Sequence, residues 1–401
     1  MKKLRVGVLF GGRSGEHEVS LLSAASILDA IDKTKYDVVP IGITKEGKWL
    51  ASGHAEKLLA ARPGADTKHL RAGDPEATAG AAVLAKGEAV IVPPVPSSGE
   101  AHALTPFHTD AVESLRSEQS TAPHLIDVDV IFPVLHGTFG EDGTIQGLLE
   151  LADIPYVGAG VLGSAAGMDK DVMKRLFLAE GLPIVKHVTI LREEWRRDAK
   201  GTRKKIEKAV KYPVFVKPAN LGSSVGITKA HDRDELGPAI DHAAEFDRKI
   251  VVEAAVGGKK GRAREIECSV LGNDKPEASV AGEIVPSDEF YSYDAKYVSE
   301  GSQLVIPAKI SKKQSKEVRE MAVRAFQAVD ACGLARVDFL MDPKSGKIYV
   351  NEINTMPGFT AISMYPKLWA ATGLSYPKLI DRLIRLGLER YEEKKKNKYA
   401  K

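Results

Sequence analysis

Cysteine is nearly absent: Cys268 and Cys332 are the only two in 401 residues, far apart and in no CxxC pair or histidine cluster. That argues against a disulfide framework or a zinc site, and both thiols are expected to be buried and inert. Neither sign of charge is in excess. The 57 basic and 54 acidic residues leave a net charge of +3, far from the imbalance of a nucleic-acid binder. No apolar run reaches the ~18 residues of a membrane span. The N-terminus enters a strand pattern at Leu4 without the apolar stretch and cleavage site of a leader. The expectation is a cytoplasmic protein with neither membrane nor nucleic acid as partner.

Two familiar phosphate motifs are also missing. Residues Gly42 to Lys48 have the glycine and lysine spacing of a P-loop, but Trp49 stands where a Ser or Thr should hold magnesium. The first glycine turn, Gly11-Gly12-Arg13-Ser14-Gly15, lacks the G-x-G-x-x-G spacing. A nicotinamide-dependent dehydrogenase is thereby disfavoured.

What is present starts as an α/β layer. A strand at 4–10, the glycine turn, a helix over about 17–32 with Leu21, Leu22, Ala25, Leu28 and Ile31 on one stripe, and a strand at 37–43 predict a mostly parallel sheet with helices on both faces. Residues 55–122, rich in Ala, Gly, Pro and Ser, read as a long insertion with a few short elements. Order returns with the strand Val128 to Leu135 and a helix to about 152. A single helix carrying Met168, Val172, Leu176 and Phe177 should then end at Gly181. The charged segment 192–211 reads as a solvated helix face, and 233–245 as an amphipathic helix.

Near the end, "ARVDFLM" (335–341) and "KIYVNEIN" (347–354) flank the turn residues 342–346. Arg336 and Asp338 are two apart and share a face, as do Glu352 and Asn354, so a hairpin gathers a guanidinium, two carboxylates and an amide oxygen. Val337, Phe339, Val350 and Ile353 need the other face for core. Two accounts stay open. The group is a magnesium site of hard oxygen ligands completed by substrate phosphates, or a salt bridge on an exposed sheet face. Lys217 ends a strand directly before the loop Gly222 to Gly226, and Lys170 follows Gly167-Met168-Asp169. Alone, each lysine reads as a solvated charge. Combined with the loop's backbone N–H groups, the Ser223 and Ser224 hydroxyls and the carboxylates, they would hold a triphosphate and its magnesium.

Seven blocks, "LFGGRSGEHEVSL" (9–21), "LHGTFGEDGTIQGLLEL" (135–151), "MDKDVMK" (168–174), "VKPANLGSSVGITK" (216–229), "FYSYDAKY" (290–297), "RVDFLM" (336–341) and "NEINTMPGFT" (351–360), occur in order. Together they resemble the ATP-grasp enzymes, specifically the D-alanine:D-alanine ligases, over nearly the whole chain. The resemblance implies an α/β (α+β) ATP-grasp fold: an N-terminal doubly wound parallel-sheet domain over 1–160, and two α+β lobes, 161–262 and 263–401, enclosing the nucleotide. It implies ATP and two magnesium or manganese ions as cofactors, D-alanine as substrate, a D-alanyl phosphate intermediate and a homodimer. In such enzymes Lys170, Lys217, Ser223, Ser224 and Lys296 would contact ATP, with Glu253 and Val256 at the adenine and Glu265 at the ribose. Asp338, Glu352 and Asn354 would bind the metal ions, and Arg336 would stabilise the transferring phosphoryl group and the oxyanion.

The same resemblance puts Glu16 on the ammonium of the first D-alanine, His136 near its carboxylate, a Gly358 N–H on the oxyanion and Ser363 at the second D-alanine. Glu16 could equally be a helix N-terminal acid favoured by the macrodipole. Ser223 and Tyr297 would close the site through a link with Glu16, shielding the acyl phosphate from water. Lys296-Tyr297 favours the amide product, because relatives that make the D-alanyl-D-lactate ester lack that tyrosine. A non-catalytic nucleotide-binding protein on this scaffold should have lost a metal or phosphoryl residue, and Asp338, Glu352, Asn354 and Arg336 are all present.

Overall fold

A computed structural model describes residues 3–51, 83–85, 87–94, 102–106, 126–258, 261–285, 303–360 and 363–399. The chain divides into two compact units: residues 1–161 with 358–366 and 374–401, and residues 162–357 with 367–373.

In the first unit, β1 (Leu4–Gly11), α1 (His17–Ala30), β2 (Tyr36–Ile43), β3 (Trp49–Ala51), β4 (Glu88–Ile91), β5 (His102–Pro106), β6 (Ile126–Val128), β7 (Val130–Val134) and α2 (Thr144–Leu151) follow one another. The sheet runs β6-β5-β4-β3-β2-β1-β7. Only β1 is parallel to its neighbours, β2 and β7. The remaining pairings are antiparallel, which corrects the expected mostly parallel sheet. The reason lies in the connections: the helix α1 crosses over between the parallel strands β1 and β2, whereas β2 turns directly into β3 through a short loop, and a hairpin must be antiparallel. Alternation along β1 divides the core. Leu9 packs with Ile41, Ile131, Ile145 and Leu149 on the α2 side, while on the other face the α1 residue Ser20 accepts a hydrogen bond from Gly11 N–H and donates one to Val134 O. Helix α1 buries Val19, Leu21, Ala24, Ala25, Ile27 and Leu28, most of its girth rather than one stripe.

The second unit contains α3 (Val161–Met168), α4 (Lys170–Ala179), β8 (His187–Leu191), α5 (Arg192–Arg197), α6 (Ala199–Ala209), β9 (Val214–Pro218), β10 (Thr228–Ala230), α7 (Arg233–Phe246), β11 (Lys249–Ala254), β12 (Arg264–Gly272), β13 (Glu277–Val285), β14 (Gln303–Val305), α8 (Lys312–Ala328), β15 (Gly333–Met341) and β16 (Ile348–Asn354). Two antiparallel sheets result, β10-β9-β11-β8 and β14-β13-β12-β15-β16. The first is covered by α7, whose Leu236, Ala239, Ile240 and Ala243 recur at helical spacing and pack with Val216, Ile250 and Val252. The charged segment 192–211 forms α5 and α6, anchored by buried Trp195 and Ile206.

The single helix expected over 168–181 is instead α3 and α4, separated at Asp169. The Asp169 carboxylate accepts hydrogen bonds from Asp171 and Val172 N–H and so starts a new helix, with Lys170 as its first residue. The face that α4 buries is Lys170, Met173, Lys174 and Phe177, not the Val172 and Leu176 stripe. Two lysines therefore point inward.

Candidate active site

Three strands build one polar face in the second unit. Glu267 on β12 lies opposite Asp338 on β15, and Asp338 opposite Glu352 on β16; one rung along, Ser269, Arg336 and Asn354 align. A bulge makes this possible. Asp338 pairs with Glu352 but Phe339 pairs with Val350, so Asn351 is an extra residue on β16. Ile348 and Val350 are buried before the bulge and Ile353 after it. An unbroken strand would put Val350 and Ile353 on opposite faces. The extra residue lets both reach the core and turns Glu352 and Asn354 to the side of Arg336 and Asp338.

The guanidinium of Arg336 donates two hydrogen bonds of 2.7 Å to the Asp338 carboxylate, and its Nε lies 3.0 Å from Glu267 Oε2. The salt-bridge account thus has its ion pair, but not its exposed face: the two side chains are only 16% and 15% exposed. Burial would pull Arg336 down, but Asp338 and Glu267 outweigh it and hold the guanidinium firmly charged. Asn354 Oδ1 accepts from Met356 N–H at 3.2 Å, which leaves one lone pair of the amide oxygen. Among the described residues no group of three or more His, Cys, Asp or Glu side chains forms a ready metal cage. Two carboxylates and an amide oxygen suit magnesium, which takes its remaining ligands from water and phosphate.

The lysines expected to be phosphate clamps are buried, not solvated. Lys217 Nζ on β9 donates to Glu253 Oε2 on β11 at 2.8 Å. Lys170 Nζ donates to Leu221 O at 2.7 Å, at the base of the glycine and serine loop. Burial lowers the Lys170 ammonium below its ordinary value. Burial also acts on Lys217, but Glu253, Glu352 and Glu265 together hold it above. Burial pushes Glu253 up, and Lys174 and Lys217 more than reverse this, so its carboxylate stays ionised far below the usual range. In the loop, Ser223 and Ser224 both take positive φ, 49° and 60°. Consecutive non-glycine residues in this region are strained, as at sites where a backbone is shaped for a ligand. Val256 and Glu265 are half-buried, just after β11 and near the start of β12.

In the first unit, Glu16 is the N-cap of α1, yet its side chain makes no capping bond. Its carboxylate instead approaches Gly137: a Cβ there would stand 2.8 Å from Glu16 Oε2, and Gly137 has φ +75°. His136 Nε2 lies 3.1 Å from Ser23 Oγ, which also accepts from Phe359 N–H at 3.2 Å. Its Nδ1 lies 3.6 Å from Glu141. Burial raises the Glu141 carboxyl, His136 lowers it and the charge of Glu16 raises it again. A Cβ on Gly358 would stand 3.1 Å from Ser363 Oγ, and Ser363 Oγ lies 2.8 Å from Thr360 Oγ1. Lys296 and Tyr297 lie outside the described residues.

Sequence reasoning missed Glu267, Lys174 and Glu141. Glu267 continues the polar alternation of Glu265. Lys174 stands one turn beyond Lys170 and shares its buried face. Both signals are simple periodicities; Glu141, in a loop, had none.

The family model described as D-ala D-ala ligase N-terminus matches residues 5–159, and that described as D-ala D-ala ligase C-terminus matches residues 176–385. The chain is 46% identical over 402 residues to a D-alanine--D-alanine ligase of Bacillus cytotoxicus, covering 100% of both. It is 48% identical over 398 residues to one of Natranaerobius thermophilus, covering 99% of this chain and 98% of that one. Among solved structures, the D-alanine-D-alanine ligase of Coxiella burnetii is similar with TM-score 0.78 and 34% identity over 99% of this chain and 97% of that one. The VanG D-Ala:D-Ser ligase of Enterococcus faecalis is similar with TM-score 0.77 and 35% identity over 96% of this chain and 100% of that one.

Proposed function

The chain belongs to the D-alanine–D-alanine ligase family, and on that premise we infer that it joins two D-alanines into D-Ala-D-Ala with ATP, releasing ADP and phosphate, for peptidoglycan precursor synthesis. The observation that carries this reading is the polar face of β12, β15 and β16, where Arg336, Asp338, Glu352 and Asn354 align within the unit that buries Lys170 and Lys217. Lys170 and Lys217 neutralise the ATP phosphates, with Ser223, Ser224 and Lys296. Glu253 and Val256 receive the adenine and Glu265 the ribose. Asp338, Glu352 and Asn354 hold magnesium or manganese, which when bound neutralises charge on the phosphate oxygens. Arg336 stabilises the phosphoryl group as it moves to the carboxylate of the first D-alanine, whose ammonium Glu16 holds beside His136. The amine of the second D-alanine, fixed by Ser363, attacks the acyl phosphate; the Gly358 N–H and Arg336 bear the oxyanion until phosphate leaves. Ser223 and Tyr297 keep water out. We propose an N-terminal domain over 1–160 with lobes 161–262 and 263–401, in a cytoplasmic homodimer. No helix among the described residues is long and apolar enough to cross a membrane.

Product analysis tests the reading. D-alanine alone should give D-Ala-D-Ala with one ADP per dipeptide, and adding D-lactate or D-serine should leave the dipeptide the main product. ADP release that ignores D-alanine would contradict it. Glu16→Gln removes the charge facing the ammonium and should raise KM for D-alanine about 10-fold or more, the worth of a charge-assisted hydrogen bond. The KM for ATP should not move; an unaltered D-alanine requirement would leave Glu16 only a helix-end acid.

A further inference from the structure

Lys174 is 1% exposed. Its Nζ lies 2.9 Å from Glu253 Oε1 on β11 and donates to the Asn351 carbonyl on β16 at 3.1 Å. These contacts fall on two different sheets of the second unit. Asn351 is the bulge residue that reverses the phase of β16. Each oxygen of Glu253 has its own lysine, Oε1 facing Lys174 and Oε2 facing Lys217.

We propose that Lys174 is a positioning residue of the nucleotide site, a buried cation that steadies Glu253 and pins the bulge that turns Glu352 toward Asp338. The inference rests on the ligase reading, in which Lys217 engages ATP phosphate. Leaving a buried carboxylate without its cation is costly. As Lys217 turns from Glu253 to a phosphate, Lys174 keeps Glu253 compensated, so the lysine is released without stranding an anion. The second contact acts on the metal ligand: a carbonyl held at the bulge fixes the backbone from which the next side chain, Glu352, projects.

The test uses Lys174→Met, Lys174→Gln and Lys174→Arg in the full chain. ADP binding is measured by calorimetry with and without magnesium, beside steady-state kinetics and a thermal melt. Lys174→Met should weaken ADP binding and raise KM for ATP by about 10-fold or more, the worth of a charged contact. It should also raise the magnesium needed for half-maximal rate, with KM for D-alanine within about 2-fold because Glu16 and His136 are untouched. Lys174→Arg, which keeps the charge and forks between two acceptors, should recover part of the ADP affinity. Should Lys174→Met not fold, Lys174→Gln decides: it offers a donor to Asn351 but no charge to Glu253, and ADP affinity should fall. Wild-type ADP affinity and magnesium response in the folded variants, with only the melting temperature lowered, would overturn the proposal. Failure of the ligase reading is seen separately, as wild-type ADP release that does not depend on D-alanine.

Discussion

Replacing Lys217 by alanine is expected to lower kcat/KM for ATP by about 10²- to 10³-fold, the scale on which a preorganised charge acts in a water-poor site. Lys217 is buried next to the end of β9, a few residues before the strained Ser223 and Ser224. Stability should change in a pH-dependent way. Glu253 is depressed below its ordinary 4.5, so its contribution is present above that pH and is lost as pH falls through the folded value. Lys217 is raised above 10.5, so its contribution is present below that pH and is lost as pH rises through the folded value. The variant should therefore be least stable, relative to wild type, across the neutral range. The difference should shrink on acidification below about pH 4.5. ATP turnover within about 3-fold of wild type, less than one charge-assisted hydrogen bond, would count against the site. So would a stability gap that does not close in acid.

The second large effect is expected from Glu352→Gln, which keeps the volume and removes the charge. Glu352 sits opposite Asp338 and its charge acts on Lys170, Lys217 and Arg336. Turnover should fall by about 10²-fold or more and the half-saturating magnesium concentration should rise, because one of two charged ligands is gone. The melting temperature should stay within about 4–8 °C, the shift that about 1 kcal/mol produces in a small domain and less in a larger one. An unchanged magnesium requirement in a folded variant would show that Glu352 holds no metal.

The hairpin was legible because Arg336 and Asp338 alternate with apolar neighbours and Glu352 and Asn354 flank Ile353, and period-2 patterns survive without knowledge of the partner strand. The bulge was visible only as a conflict: Val350 and Ile353 both belong in the core although they are three apart. The burial of Lys170, Lys174 and Lys217 was not legible, since a lysine on a short helix or strand end reads as solvated until its anion is known. For Lys174 and Lys217 Glu253 supplies that anion from β11, while Lys170 reaches the Leu221 carbonyl. In the first unit the parallel core followed from the strand, turn and helix alternation of residues 4–43. The antiparallel extension did not, because β4 and β5 are short segments within the compositionally plain stretch 55–122. The division of α3 from α4 could have been read at Asp169, whose side chain is a helix-starting group.

The most direct test is a crystal structure of the protein with ADP and magnesium. The predicted result is a diphosphate within hydrogen-bond reach of Lys170 and Lys217. A cation should be held by Asp338, Glu352 and Asn354, and at least one oxygen of Asp338 should have left Arg336 for it. Nucleotide bound away from these lysines, or an Asp338 still gripped at both oxygens by Arg336 beside bound ADP and magnesium, would contradict the account.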